Sequence, residues 1–124
     1  MSDTDFKNTT TLEERKKQSS VVLGKFYPYK LPVIIQKSKK DQNLPTIDKI
    51  KFLIPHDLQY ASILTVLRNR MKPGLNNTTA LFLMTESGVS ISSYEKFNTI
   101  YNNHKNEEDD FLYLYYCSEN TFGN

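Results

Sequence analysis

Residues 49–55 read Lys-Ile-Lys-Phe-Leu-Ile-Pro, and this stretch decides the fold. Its β-branched and aromatic residues predict a strand, and Pro55 ends that strand abruptly. Side chains alternate across a strand, so the two lysines and Leu53 share one face, while the other apolar residues share the opposite face. Lysine and proline are typical of strands at the edge of a sheet. We therefore predict an edge strand with apolar surface on both faces, able to accept another extended chain.

The segments on either side supply partners for this edge strand. A β-branched run after Pro32 predicts a strand buried on both faces, which forms a hairpin with the edge strand. The full predicted order is a helix over residues 12–23, a short strand that follows the prolines within residues 27–36, the edge strand, a helix over 57–71, a strand over 80–84, a helix over 93–103 and a strand over 111–117. This order predicts an α+β fold of the β-grasp type, with a four-stranded sheet and a helix laid across one face.

The helix over 57–71 carries the clearest apolar pattern of the chain. Asp57 is its predicted N-cap. Residues that recur at helical spacing are expected to face the core, namely Tyr60, Leu64, Leu67 and Met71. Ile63 and Val66 form a second apolar row that needs a partner of its own.

Length and composition indicate one small domain. The 124 residues are 38% hydrophobic and 24% charged, and no apolar run is long enough to cross a bilayer. The polar N-terminus lacks a signal-peptide pattern, and a lone cysteine excludes an internal disulfide framework, so we expect a cytoplasmic protein. We expect a flexible tail over 1–11, a folded domain over 12–117 and a second flexible tail over 118–124.

Charge is distributed unevenly along the chain. Residues 1–51 hold eleven Lys/Arg against six Asp/Glu, a balance of +5, whereas residues 86–124 hold two against seven, a balance of −5. A basic half can bind nucleic acid or anionic lipid, but it is more often one solvated face of a globule.

Catalytic and metal-binding patterns are weak in this sequence. His56 and His104 stand alone, without cysteines or carboxylates at metal-ligand spacing. Cys117 ends an apolar strand and is expected to be a packed thiol. The acidic run 107–110 lacks the spaced oxygens and glycine turn of a calcium loop, and we predict a solvated turn there. We expect no enzyme activity, no metal and no cofactor.

Seven blocks, taken in order, carry a resemblance to a known family. They are Tyr27-Pro28, residues 30–34, Asp48-Lys49, residues 51–55 with Asp57-Leu58, Leu67-Arg68 with Arg70, residues 111–113, and Phe122-Gly123. Together they resemble the ubiquitin-like autophagy modifiers of the GABARAP and microtubule-associated light-chain type, over residues 12–124.

The resemblance implies a ubiquitin-like β-grasp core with extra N-terminal helices and a modifier that is a substrate, not an enzyme. A processing cysteine protease would remove Asn124 and expose the carboxylate of Gly123. Activating and conjugating enzymes of the family would then join this glycine to phosphatidylethanolamine. The protein would be a monomer that moves from the cytoplasm to the autophagosome membrane after lipidation.

The resemblance also implies a site for cargo-receptor peptides with an aromatic residue and, three positions later, an aliphatic one. In a strand, these two positions point to opposite faces, so an added strand needs a pocket on each side. The expected aromatic pocket consists of Leu23, Pro32, Ile34, Lys51, Leu53 and Phe111. The expected aliphatic pocket consists of Phe52, Ile54, Pro55, Leu58, Ile63, Val66 and Leu67. The expected charge contacts to the peptide are Lys49, Lys51 and Arg70.

Some positions depart from the family pattern. Ser19 stands where acidic helix residues are usual, Lys30 where arginine is usual, Ile50 where a lysine is usual, and Asn69 interrupts a basic triplet. Residues 88–92 lack the paired prolines of the family. The alternative function is that of a non-conjugated β-grasp interaction domain that binds nucleic acid or anionic lipid through its basic half. Such a domain would not require the penultimate glycine.

Overall fold

A computed structural model describes residues 5–76 and 78–118. The described residues form four helices and four strands, with two helices first, then two strands, and helices and strands in alternation from there on. They are α1 (Phe6–Thr9), α2 (Leu12–Phe26), β1 (Lys30–Lys37), β2 (Lys51–Pro55), α3 (Tyr60–Met71), β3 (Phe82–Thr85), α4 (Phe97–His104) and β4 (Leu112–Cys117). Within the described ranges, no helix combines the length and the apolar character that crossing a bilayer requires.

The strands form one mixed sheet in the order β2-β1-β4-β3. β1 pairs antiparallel with β2 and parallel with β4, while β3 pairs antiparallel with β4. Exposed and buried residues alternate along β2, whereas six consecutive residues of β1 are buried. The predicted α+β class, the hairpin and the edge position of residues 51–55 are therefore confirmed.

Pro32 lies within the central strand β1 without breaking the sheet. It stands opposite Leu53 in the register with β2. Residues of β1 bond to β2 at every second position, and Ile35 is one of them, since its N–H donates to Ile50. Pro32 is three positions before Ile35, so its backbone does not bond to β2. Its nitrogen would point towards β4, but β4 begins opposite Val33. The missing N–H therefore leaves no ladder partner unpaired.

The main core fills the space between the sheet and the helices α3 and α4. Gln59 is the N-cap of α3, so the prediction of Asp57 in that role is wrong. Tyr60, Ile63, Leu67 and Met71 are buried, whereas Leu64 is only partly buried. The inward row of α3 thus runs through Ile63, and Leu64 lies at its border.

A smaller apolar cluster lies on the other face of the sheet, beneath α1. Phe6 is 4% exposed and packs edge-to-face on Phe111 at 5.4 Å between ring centroids, with Ile34 and Tyr113 completing the cluster. The backbone N–H of Phe6 donates to Oε1 of Gln36 at 2.7 Å. The expected flexible tail over 1–11 is therefore wrong from Asp5 onward, because one aromatic residue anchors α1 to the sheet.

Candidate peptide-binding edge

In the described chain, β2 pairs with β1 alone. The carbonyl of Ile50 accepts from Ile35, and the N–H of His56 donates to Tyr29, both at 2.9 Å, so these even-numbered positions point towards β1. Backbone groups alternate along a strand, and those of Lys51 and Leu53 therefore point outward. This edge offers the donors and acceptors that an added strand needs.

An apolar groove of about 520 Å³ runs beside this edge, between α2 and β2. Leu53, at 39% exposure, and Val21, at 51%, are large apolar side chains that remain open to solvent beside it. The residues that line this groove are Lys17, Gln18, Val21, Val22, Pro32, Lys49, Lys51, Phe52, Leu53 and Phe111. Its shape and lining suit one bulky apolar side chain of a ligand.

Four of the six residues predicted for the aromatic pocket meet in this groove: Pro32, Lys51, Leu53 and Phe111. The structure places the other two elsewhere. Ile34 is fully buried in the cluster beneath α1, and Leu23 lines a separate cleft with Tyr27 and Tyr101.

Sequence reasoning missed the wall that α2 contributes. Lys17, Gln18, Val21 and Val22 have i, i+3 and i+4 spacing and share one helix face, which is the signal that could have found them. The face of α2 that turns towards the sheet was not predicted, because buried polar residues, Arg15 and Ser19, hold this helix to the sheet in place of an apolar stripe.

Three lysines line the groove, and Arg70 lies close to one of its residues, Phe52. The ammonium of Lys51 donates to the side-chain oxygen of Gln18 at 3.1 Å, which joins β2 to α2 across the groove. Lys49 and Arg70 lie over the ring of Phe52, at 5.1 and 5.6 Å from its centroid. Arg70 also pairs with Asp48 at 3.6 Å. The local charge favours a ligand with acidic residues.

The residues predicted for the aliphatic pocket divide into a floor and a rim on the α3 side of β2. Phe52, Ile54, Ile63 and Leu67 are buried members of the main core. Pro55, Leu58 and Val66 reach the surface, Val66 with 39% of its area exposed. Of the residues predicted for the aliphatic pocket, only these three offer accessible apolar surface for a ligand.

Asp109 fixes the position of α2 and so of the groove wall. Its Oδ2 accepts from Nε of Arg15 at 2.9 Å and from the hydroxyl of Tyr113 at 2.6 Å. The hydroxyl of Ser19 donates to the backbone carbonyl of Asp109 at 2.5 Å. Asp109 is 1% exposed, so the prediction of a solvated turn over 107–110 is wrong at this residue. Burial, followed by the hydrogen bond to Asp109, raises the pKa of Tyr113 far above its ordinary value.

Comparison with known proteins decides the family. The sequence model of the family described as "Autophagy protein Atg8 ubiquitin like" matches residues 14–123. The chain belongs to the Atg8 family. This Atg8-family chain is 39% identical to Autophagy-related protein 8 of Mycosarcoma maydis over 118 residues, which cover 95% of each chain. It is 37% identical to Autophagy-related protein 8D of Oryza sativa subsp. japonica, over 95% of this chain and 96% of the relative.

A human relative is more distant. The identity to microtubule-associated protein 1 light chain 3 gamma is 34%, over 95% of this chain and 78% of the relative. These findings confirm the predicted resemblance and make the chain a ubiquitin-like autophagy protein of the Atg8 family.

The predicted conjugation residues of this Atg8-family chain, Gly123 and Asn124, lie outside the described residues. The described chain ends at Ser118, directly after β4. Their role therefore remains a prediction from sequence.

Proposed function

We propose that this Atg8-family chain is a ubiquitin-like modifier that is joined through Gly123 to phosphatidylethanolamine and binds aromatic-x-x-aliphatic peptides of cargo receptors along β2. The observation that carries the peptide-binding part is the edge of β2, where outward backbone groups of Lys51 and Leu53 lie beside an apolar groove. The family membership supports the conjugation part. The protein acts as a monomer, in the cytoplasm before lipidation and on the autophagosome membrane afterwards.

A peptide added to β2 as a strand would form backbone hydrogen bonds with Lys51 and Leu53. Its aromatic residue enters the groove between α2 and β2. Its aliphatic residue, three positions later, points to the opposite face and packs on the rim formed by Pro55, Leu58 and Val66. Acidic residues that flank the motif are attracted by the groove's cations, each exposed pair contributing at most about 1 kcal/mol.

The C-terminal chemistry begins with hydrolysis of the Gly123–Asn124 peptide bond by a processing cysteine protease. Water supplies the oxygen of the new Gly123 carboxylate and the protons of the released asparagine amine. An activating enzyme uses ATP to form the glycyl adenylate and releases pyrophosphate. A cysteine thiol of this enzyme displaces AMP to form a first thioester, and a thiol of the conjugating enzyme takes over the acyl group in a second. The amine of phosphatidylethanolamine then attacks the second thioester, forms the amide and releases the thiol. Glycine suits these steps because it has no side chain to obstruct attack on its acyl carbon.

Titration of labelled protein with an acidic-flanked aromatic-x-x-aliphatic peptide tests the adaptor part. We expect chemical-shift changes at Lys51, Leu53 and Val21, with micromolar affinity for this small interface. Leu53→Ala should weaken binding about ten-fold. The matched control is Val89→Ala, because Val89 is also exposed but is not among the groove-lining residues. Shift changes confined to other surfaces would contradict peptide binding at β2.

Expression of N-terminally tagged protein in starved cells tests the conjugation part. Wild type should form puncta and a faster-migrating lipidated band, whereas Gly123→Ala should stay diffuse and keep Asn124. Thr121→Ala is the control for an altered C-terminal segment with its glycine intact. A lipidated band from Gly123→Ala would refute conjugation at this residue.

A further inference from the structure

Ser118, the first residue after β4, is held by a carboxylate from the β1–β2 connection. Oδ2 of Asp41 accepts from the backbone N–H and from the hydroxyl of Ser118, both at 2.6 Å. We call this pair of hydrogen bonds the Asp41–Ser118 clasp. It contradicts the expected flexible tail over 118–124 at its first residue, because Ser118 is fixed to the domain.

The position of Asp41 is itself well determined. Its Oδ1 accepts from the backbone N–H groups of Asn43 and Leu44, both at 2.8 Å. Leu44 is 4% exposed and belongs to the main core. Both carboxylate oxygens are therefore engaged, one by the connection and one by Ser118.

The same connection is fastened to β4 immediately before the clasp. The N–H of Ser38 donates to the carbonyl of Tyr116 at 2.8 Å, and the hydroxyl of Tyr116 donates to the carbonyl of Pro45 at 2.9 Å. The N–H of Ile47 donates to that hydroxyl oxygen at 3.2 Å. The clasp is thus the hydrogen-bonded contact nearest to the C-terminus among those that join the β1–β2 connection to β4 and Ser118 in the described residues.

We propose that Asp41 is a positioning residue for C-terminal processing, which fixes Ser118 so that the processing protease meets Gly123 on a short tether. The inference rests on the proposed function. Gly123 follows Ser118 by five residues, so its reach from the clasp is at most about 18 Å. Opening the clasp frees the backbone of Ser118, which must then be ordered again when the protease binds. Ordering one residue again on binding corresponds to about a ten-fold rise in KM.

The charge state of Asp41 suits this role. Partial burial pushes the pKa of Asp41 up, but hydrogen bonds from Ser118, Leu44 and Asn43 outweigh it and hold the pKa below its ordinary value. The carboxylate is therefore ionised at neutral pH, and its bonds to Ser118 are charge-assisted.

Steady-state cleavage of the purified full chain by an Atg8-family processing protease tests the proposal, with release of Asn124 followed by mass spectrometry. Asp41→Asn keeps one oxygen for the N–H groups of Asn43 and Leu44 but replaces the acceptor of Ser118 with an amide donor. We expect it to raise KM about ten-fold with kcat unchanged within two-fold. Ser118→Ala should raise KM about three-fold, and Ser118→Thr, which keeps the hydroxyl, should behave as wild type.

Asp57→Asn is the matched control, because Asp57 is an exposed carboxylate after the opposite end of β2. Amide hydrogen exchange of Ser118, measured on the same proteins, should accelerate in Asp41→Asn only. Unchanged exchange at Ser118, or accelerated exchange with an unchanged or lower KM, would overturn the positioning role while leaving the proposed function intact. Wild type that is not cleaved at all would overturn the proposed function, and the positioning role with it.

Discussion

Replacement of Asp109 by alanine removes the carboxylate that ties α2 to the sheet. The side chain of Asp109 is fully buried, and that of Arg15 is 10% exposed. The variant leaves the guanidinium without its ionic partner and the hydroxyl of Tyr113 without its acceptor. Removal of one partner of a buried ion pair costs about 3–5 kcal/mol, because the remaining charge stays desolvated. Domains of this size have a total stability of about 5–15 kcal/mol, so the loss is a large fraction of it.

Urea unfolding followed by circular dichroism measures this loss. Glu108→Ala is the matched control, because Glu108 lies in the same acidic run but is exposed. We expect the control to change the free energy of unfolding by no more than about 0.5 kcal/mol. The Asp109 variant should also bind the peptide more weakly, since α2 forms one wall of the groove. Equal and small losses in both variants would refute the buried role of Asp109.

Five further variants test the groove, the buried residues and the turn before β4. Leu53→Ala should weaken peptide binding with little effect on thermal stability. Leu67→Ala, at a fully buried position, should lower the free energy of unfolding by about 2–5 kcal/mol. Equal losses of stability in the two variants would show that Leu53 is an ordinary core residue. Phe6→Ala should lower the free energy of unfolding by about 3 kcal/mol, measured by denaturant titration, and an unchanged midpoint would argue against the docked α1. Asp110 has a φ of 63°, so Asp110→Gly should be more stable than Asp110→Ala by about 1 kcal/mol in thermal melts, and the reverse order would contradict the left-handed backbone there.

The edge strand of the sheet could be predicted because the residues that identify it are adjacent in sequence. Alternation in residues 51–55, the lysines and Pro55 identify an edge strand without knowledge of the rest of the chain. Two groove residues, Lys51 and Leu53, followed from the same alternation, whereas Pro32 and Phe111 came from the family resemblance. The family blocks supplied what local patterns could not, namely the candidate role of Gly123.

Three of the misses share one physical cause, which is a partner residue far away in sequence. Phe6 is a single aromatic residue in a polar segment, and its partner Phe111 lies more than a hundred positions further on. Nothing in the acidic run shows which carboxylate turns inward, because that depends on Arg15 in α2. The same buried arginine fixes which face of α2 turns towards the sheet, and Leu23 therefore lies away from the groove.

The strand order separates the open edge from the strand that leads to the C-terminus. β1 lies between β2 and β4, so these two strands are about 10 Å apart and on different sides of the central strand. A ligand strand on β2 therefore leaves the exit of β4 unobstructed. Many copies attached to one surface through their C-termini would all keep this edge available. A receptor with several motifs could then bind several copies at once, and such avidity can exceed single-site affinity by about 10²–10⁴-fold.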